Sequence, residues 1–241
     1  MTRRNKLLAI EGIDGSGKRT QIELLSRVLR QRRVRHVRIS FPRYESSFGG
    51  MVGRFLDGQF GPLEQVNPYF SALLFANDRL EAKPELEKAF RSGAMVIADR
   101  YVASNLAHQG ARVARERRDA FLAWLRHVEY RIYQLPVEGL VIYLRLPATV
   151  AQELVEKKAA RDYTQLQKDI QEANLAHLEQ AAQVYDRLAR AKNWVTVECY
   201  DASRRHMRTP EEIHVDVVQA VAKRLPQLFR APRGRKKARR K

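Results

Sequence analysis

Apolar and polar positions along the chain follow two periods. Residues 7–10 form a short unbroken apolar run, and Ile22, Leu25 and Leu29 follow at helical spacing. This predicts a strand over 7–10 and a helix over 18–31, with a glycine-rich turn between them. Val37, Ile39 and Phe41 then alternate with polar residues, a strand that Pro42 stops because proline cannot donate to a ladder. Residues 47–56 read as a short helix and 57–62 as a loop. Pro68 opens a long helical pattern through Leu73, Leu74, Phe75, Leu80, Leu86 and Phe90, expected to kink or break at Pro84 and to close at Gly93. A strand over 95–98 comes next, and 104–109 leads into Gly110. Residues 115–127 are amphipathic, with Phe121, Leu122 and Leu125 on the apolar side.

Residues 140–146 read as a buried strand ended by Pro147. Helical patterns over 150–158 and 166–188 flank 157–163, a charged stretch with too little apolar pattern to pack and expected to be mobile. The last strand is 195–199. The last helix is 213–225, its start marked by Pro210 and Glu211. Five strands alternate with helices, and a helix connects the first two, which calls for parallel pairing. The expectation is one three-layer α/β/α domain over residues 1–229 with a five-stranded parallel sheet.

Charge changes this picture in one respect. The formal charge is +18, and residues 230–241 carry eight Lys or Arg and no acid, leaving about +10 on the remainder. A basic body suits a phosphate-rich substrate. The tail, with Pro232 and Gly234 and no interleaved aromatics, is expected to be disordered, a solvated extension with at most weak non-specific nucleic-acid contact. No apolar run approaches the ~20 residues of a membrane span. Glu11 interrupts the first apolar run, which is therefore expected to be a strand rather than an export signal. Cys199 is the single cysteine, so no internal disulfide forms, which fits a reducing cytoplasm.

The turn after the first strand carries the chemistry. Gly12-Ile13-Asp14-Gly15-Ser16-Gly17-Lys18 has the spacing of a phosphate-cradling loop. Glycines let successive amide N–H groups point inward, the following helix aims its positive end at the same spot, and Lys18 adds a cation for the outer phosphates of ATP. Such loops place Ser or Thr after the lysine to bind Mg²⁺. Arg19 stands there instead, and the hydroxyl comes one residue late at Thr20, about 100° round the helix.

An acceptor site should face this loop across the carboxyl ends of the strands. Asp99-Arg100 falls at a strand end, where the acid can serve Mg²⁺ and the guanidinium can grip a phosphate, or the two can form a local ion pair. Phe75 and Arg79 share a helix face, able to stack on a base and donate to it, or to lie in the core and in solvent. Asn105 and His108 lie three apart. An Asn amide suits a pyrimidine edge, or a helix cap with Ser104, and His108 suits packing or a sugar contact. Lys157, Lys158 and Arg161 can close over ATP or form a solvated face.

Together, residues 11–18, Phe41-Pro42-Arg43-Tyr44, Leu74-Phe75-Ala76-Asn77-Asp78-Arg79, the run from Asp99 through Asn105, and Ala107-His108-Gln109-Gly110 resemble the thymidylate kinase family over about residues 7–225. These nucleoside monophosphate kinases move the ATP γ-phosphate onto dTMP. The resemblance implies a P-loop kinase fold with a short lid near 157–167, ATP with Mg²⁺ held at Asp14 and Asp99, and a homodimer in contact near the helix after Asn67. It implies that Phe75 stacks on thymine, Arg79 donates to O4 and Asn105 reads N3. Arg100 would bind the acceptor phosphate, with Phe41, Arg43 and Tyr44 nearby. Asp14 would sit between donor and acceptor. Arg161 would be the lid arginine, because Gly15 rather than Arg follows Asp14. Ser104, His108 and Gln109 would complete the acceptor pocket, with His108 where the family has Tyr against the sugar. Lys18, Asp14, Arg100, Arg161 and Arg19 form the expected catalytic set. Two rivals remain: a kinase of another deoxynucleotide or nucleoside, and a catalytically weakened nucleotide-dependent nucleic-acid-binding protein.

Overall fold

Strand β1 (Leu7–Glu11) is the middle of the sheet, and all five of its residues are buried. It pairs in parallel with β3 (Met95–Asp99) on one side and β4 (Leu140–Arg145) on the other. β2 (His36–Ser40) and β5 (Trp194–Glu198) form the two edges, giving the order β2-β3-β1-β4-β5, parallel throughout. The computed structural model describes residues 6–156 and 174–229. The expected lid with Arg161, the first part of the helix expected over 166–188, and the basic tail lie outside the described residues.

The apolar run of β1 is continuous rather than alternating because helices cover both faces of the sheet. α1 (Lys18–Gln31) and α8 (Pro210–Arg224) pack together on one face. α3 (Pro68–Arg91), α4 (Val102–Ala111) and α7 (Leu175–Leu188) cover the other. The fold is thus the three-layer α/β/α arrangement expected from the pattern. α5 (Arg115–Arg126) runs into a six-residue π-helical segment, His127–Ile132, and α6 (Ala148–Glu156) follows β4. Beyond β5 a two-stranded antiparallel ribbon, β6 (Tyr200–Asp201) with β7 (His206–Met207), leads into α8, which opens on a reciprocal capping box between Thr209 and Glu212.

The structure departs from the sequence reading in several places, among them the last strand, which lies one residue earlier than expected at Trp194–Glu198, and the last helix, which begins at Pro210. α3 continues through Pro84 for 24 residues without a break. Proline removes one donor, but Ala82, Leu86, Ala89 and Phe90 on either side are buried in the core, and that packing holds the segment helical. The second strand is shifted one residue toward the N-terminus: Ile39 and Phe41 are buried as expected, whereas Val37, on the same face, is 38% exposed at the sheet edge. The β6–β7 ribbon had no signal in the pattern.

α2 (Ser47–Leu56) packs on α3 beside the main core and forms a small second one of Val52, Phe55, Leu56, Leu63, Val66 and Leu74. Phe75 and Tyr44 pack on its edge. This second core carries one wall of the cleft described next.

Leu25 on α1 is fully buried, and Val215 on α8 is 53% exposed. Truncating Leu25 to Ala should cost 2–5 kcal/mol, roughly the range for a buried leucine, and Val215→Ala within about 0.5 kcal/mol. Urea denaturation followed by circular dichroism checks both, and equal costs would contradict the arrangement of α1 and α8.

Candidate active site

The carboxyl ends of β1 and β3 each feed a turn. The turn after β1 holds Gly12 at φ 146°, where a Cβ would lie 2.6 Å from the Leu144 carbonyl oxygen on β4, so only glycine lets the loop pass this close to the sheet. Gly17, at φ 85°, is the left-handed N-cap of α1. Lys18 is buried and folds back, its Nζ donating to the Gly12 and Ile13 carbonyl oxygens at 3.0 Å each and lying 3.9 Å from Asp14 Oδ1. Burial first, and then repulsion by Arg100, pushes its pKa down to about 8 against the pull of Asp14, Asp99 and Glu11.

The turn after β3 places Arg100 at φ 64°, a left-handed conformation that costs a non-glycine residue roughly 1–2 kcal/mol. It is held there from both sides. The Arg100 N–H donates to the Ile10 carbonyl oxygen, and the next N–H, that of Tyr101, donates to Glu11 Oε1 at 2.7 Å. Glu11 is fully buried and also accepts from Ser104 Oγ (2.7 Å) and Tyr185 Oη (3.0 Å). Burial raises its pKa, and these donors together with the Arg100 charge oppose that rise.

Arg100 thereby crosses to the phosphate loop. Its Nη2 donates to Asp14 Oδ1 at 2.6 Å, and its Nη1 to Gly12 O, Ser104 Oγ and His108 Nε2 at 3.0–3.3 Å. Burial, then Arg100, drives the His108 pKa well below 6.5, and burial takes His177 to about 4. Both rings are neutral near pH 7. Because Nε2 of His108 accepts from Arg100, its proton sits on Nδ1, which faces His177 Nε2 at 3.4 Å.

Two cavities meet at this junction. The wider holds Gly15, Gly17, Lys18, Arg19, Thr20 and Asp99. The narrower is lined by Leu56, Phe75, Arg79, Ser104, Asn105, His108 and Gln109. Asp14, Phe41, Pro42, Tyr44 and Arg100 border both. The phosphate loop and the expected base-reading residues therefore face one continuous cleft.

Several expected residues are placed differently from the simple sequence reading. Arg43 is absent from the lining of either cavity. Its guanidinium turns to α3, where Nε donates to Asp78 Oδ1 at 3.3 Å with Glu81 and Glu85 at 3.7–4.0 Å. Arg79 is 1% exposed, its Nε and Nη2 held by Glu129 Oε2 and Oε1 at 2.5 and 2.6 Å. Ser104 binds Glu11 rather than capping its helix. Arg19 projects into solvent at the mouth of the wider cavity and pairs with Glu23 on the next turn.

Glu129, Tyr185 and His177 had no motif to announce them. Asp78 lay inside a quoted motif, but its role as the anchor of Arg43 needed the tertiary fold.

No group of three His, Cys, Asp or Glu side chains able to hold a metal exists among the described residues. Asp14 and Asp99 nevertheless both border the wider cavity and act electrostatically on Lys18. Mg²⁺ commonly takes only one or two protein carboxylates and completes its shell with water and phosphate oxygens, so this donor set fits a phosphate-bound Mg²⁺.

A glycine loop between a central parallel strand and a helix, opening on a second pocket lined by an aromatic ring, an amide and a guanidinium, defines a P-loop nucleotide-binding protein of the nucleotide-kinase class. The thymidylate kinase family model matches residues 10–213, most of the chain. Thymidylate kinase of Mycobacterium tuberculosis is 34% identical over 189 residues, 78% of this chain and 87% of that protein. A probable thymidylate kinase of Pyrobaculum aerophilum is 32% identical over 216 residues, 89% and 95%. The structure of thymidylate kinase from Candida albicans has the same fold, with a TM-score of 0.71 over 94% of each chain at 19% identity. The chain belongs to the thymidylate kinase family.

The depressed pKa of Lys18 has a measurable consequence. Above pH 8 the free amine loses its proton, while a bound triphosphate restores it, so ATP binding should take up a proton there. Affinity should fall by up to about tenfold per pH unit from pH 8 upward, following proton linkage. Calorimetry in buffers of different ionisation enthalpy reads the uptake directly. It should vanish in Lys18→Arg, and its absence from the wild type would show that Lys18 keeps an ordinary pKa.

Proposed function

We propose that this protein is an ATP-dependent dTMP kinase that produces dTDP and ADP. The observation that carries the reading is the shared wall of Asp14 and Arg100, which joins a phosphate loop to a pocket lined by Phe75, Arg79 and Asn105. Family membership and the named relatives support the same substrate pair.

In this reading the base lies against Phe75, with Arg79 and Asn105 at its polar edge. Arg100 receives the acceptor phosphate in exchange for part of its contact with Asp14 and Gly12. Lys18 leaves the loop carbonyls for the β- and γ-phosphates, and the N-terminus of α1 supplies amide donors. An oxygen of the dTMP phosphate attacks the γ-phosphorus, the bond to the bridging β–γ oxygen breaks, and ADP leaves with that electron pair. The nucleophile is already anionic, so no general base is needed. The protein contributes alignment and charge neutralisation. Mg²⁺, held through Asp14 and Asp99 with phosphate oxygens and water, would supply Lewis-acid charge stabilisation. Arg19 adds a cation at the cleft mouth, and Arg161, outside the described residues, would add the lid cation.

No helix among the described residues is long and apolar enough to cross a membrane. We place the enzyme in the cytoplasm, where the buried thiol of Cys199 stays reduced. We assign it a homodimer through the start of α3, where Tyr69 and Phe70 are 41% and 46% exposed. Sedimentation of wild type and Phe70→Arg tests the assembly. A dimer that dissociates in the variant is expected, and a wild-type monomer would refute it.

The activity is tested by coupled ADP release with dTMP, dUMP, dCMP and dGMP, with and without Mg²⁺. Preference for dTMP and dependence on Mg²⁺ are expected, and indifference to the base would reject the substrate. Lys18→Ala should reduce kcat by roughly 10²–10³, on the scale of losing one transition-state charge contact, with the thermal midpoint little changed.

A further inference from the structure

Glu129 stands outside every motif of the sequence, yet it is fully buried at the back of the base pocket. It sits in the π-helical segment, whose wider turn is marked by the Tyr133 N–H donating to the Val128 carbonyl oxygen at 2.8 Å. Such segments recur at functional sites because the extra residue re-aims side chains. Here Glu129 is aimed between α3 and α4. One oxygen receives Arg79 Nε. The other receives both Arg79 Nη2 and, at 2.9 Å, Asn105 Nδ2.

The second hydrogen of the Asn105 amide goes to the Ala72 carbonyl oxygen, also at 2.9 Å. A carboxylate bridged by a guanidinium and a backbone carbonyl can both only accept. The Asn105 amide therefore has one permitted orientation, with both hydrogens pointing away and Oδ1 left over. That oxygen is buried and without a hydrogen-bond partner among the described residues, on a residue that lines the pocket. Gln109, one turn further along α4, is locked in the opposite sense. Its Oε1 accepts from Ser71 Oγ and Arg112 Nη1 at 2.7 and 2.8 Å, and its Nε2 is buried and unpartnered.

We propose that Glu129 is the positioning residue that sets base specificity, by holding Asn105 as an obligate acceptor and Arg79 as a donor on the pocket side. The inference rests on the kinase reading above. An acceptor at Asn105 takes the N3–H of an imide such as thymine. Cytosine has a lone pair at N3, which would meet the Asn105 oxygen lone pair to lone pair, and the amide cannot turn over to relieve this without setting its oxygen against Glu129 and the Ala72 carbonyl. Pockets that hydrogen-bond a defined edge reject the wrong edge strongly because their own buried groups are left unpaired.

The test compares dTMP with 5-methyl-dCMP, which differ only at the ring edge. Wild type should favour dTMP by about 10³ or more in kcat/KM. Glu129→Gln places a donor as well as an acceptor behind Asn105, so only the Ala72 carbonyl still holds the amide in one orientation and reversal becomes less costly. The ratio should narrow at least tenfold, mainly through KM for the pyrimidine nucleotide, with KM for ATP within twofold. An unchanged ratio overturns the proposal, whether or not overall activity drops, because that is what a merely structural glutamate would give.

If the variant does not fold, the wild type still decides by nuclear magnetic resonance. The Asn105 side-chain amide protons should be strongly protected from exchange in the free protein and remain so with dTMP bound, and exchange at the rate of a surface amide overturns the proposal. A wild type that phosphorylates neither nucleotide would refute the kinase reading, while the amide measurement would still decide how Asn105 is held.

Discussion

The arrangement of the cleft depends on one buried carboxylate. Glu11 ends the central strand, lies fully out of solvent, and accepts hydrogen bonds from the Tyr101 backbone, Ser104 and Tyr185. It thereby binds β1 to the turn after β3, to α4 and to α7. Burying a carboxylate is unfavourable unless its lone pairs are filled, and here three donors fill them. The arrangement gives Arg100 little choice. Its neighbour's N–H is committed to Glu11, its own N–H to Ile10, and the backbone between strand and helix is driven left-handed. The guanidinium then emerges toward Asp14 on the phosphate loop. The donor and acceptor pockets are adjacent because one buried carboxyl group at the end of the central strand ties the two turns together.

Within this frame the free site holds unfavourable electrostatics that a ligand relieves. Lys18 and Arg100 are close enough for Arg100 to help lower the lysine pKa to about 8. Asp14 lies between them, 2.6 Å from Arg100 and 3.9 Å from Lys18, and mitigates the repulsion without cancelling it. His108 lines the acceptor side with His177 against it; both are kept neutral by burial, His108 also by the same arginine and His177 also by Arg112. Adding phosphates supplies the missing anions, so binding energy is available to draw Lys18 off the loop carbonyls and Arg100 off Asp14. Electrostatic preorganisation of this kind is what phosphoryl transfer demands of a protein.

Much of this was legible in the sequence, and the boundary of legibility has physical causes. The phosphate loop is local: its glycine spacing, the apolar run before it and the amphipathic helix after it suffice to place it. Phe75 with Arg79, and Asn105 with His108, were legible as pairs because helical spacing puts them on one face. Residues whose position depends on distant partners were not. Arg43 turns away from the cleft because Asp78, thirty-five residues on, receives both its backbone N–H and its side chain. Glu129 reaches the base pocket only because a helix widens by one residue, a feature to which no hydrophobic period points. Pro84 failed as a helix breaker because tertiary packing outweighed local propensity.

Arg19 tests how far a motif can be read literally. The family pattern calls for a hydroxyl after the lysine, and neither Arg19 nor the exposed Thr20 supplies one inside the loop. The structure shows what is there in its place. The first turn of α1 carries no acid and begins with two adjacent cations, Lys18 and Arg19. A cation at a helix N-terminus opposes the helix dipole, at a cost of about 0.3–1 kcal/mol each, and Glu23 one turn on offsets only part of it at a solvent-exposed site. A sequence shaped for stability alone would place Asp or Glu there. The reversed choice makes sense when an anion of several charges completes the turn, and the wider cavity opens at that end of the helix. In the kinase reading proposed above, the Arg19 guanidinium at the mouth of the same cleft would supply part of the charge that other loops draw from a hydroxyl-bound metal.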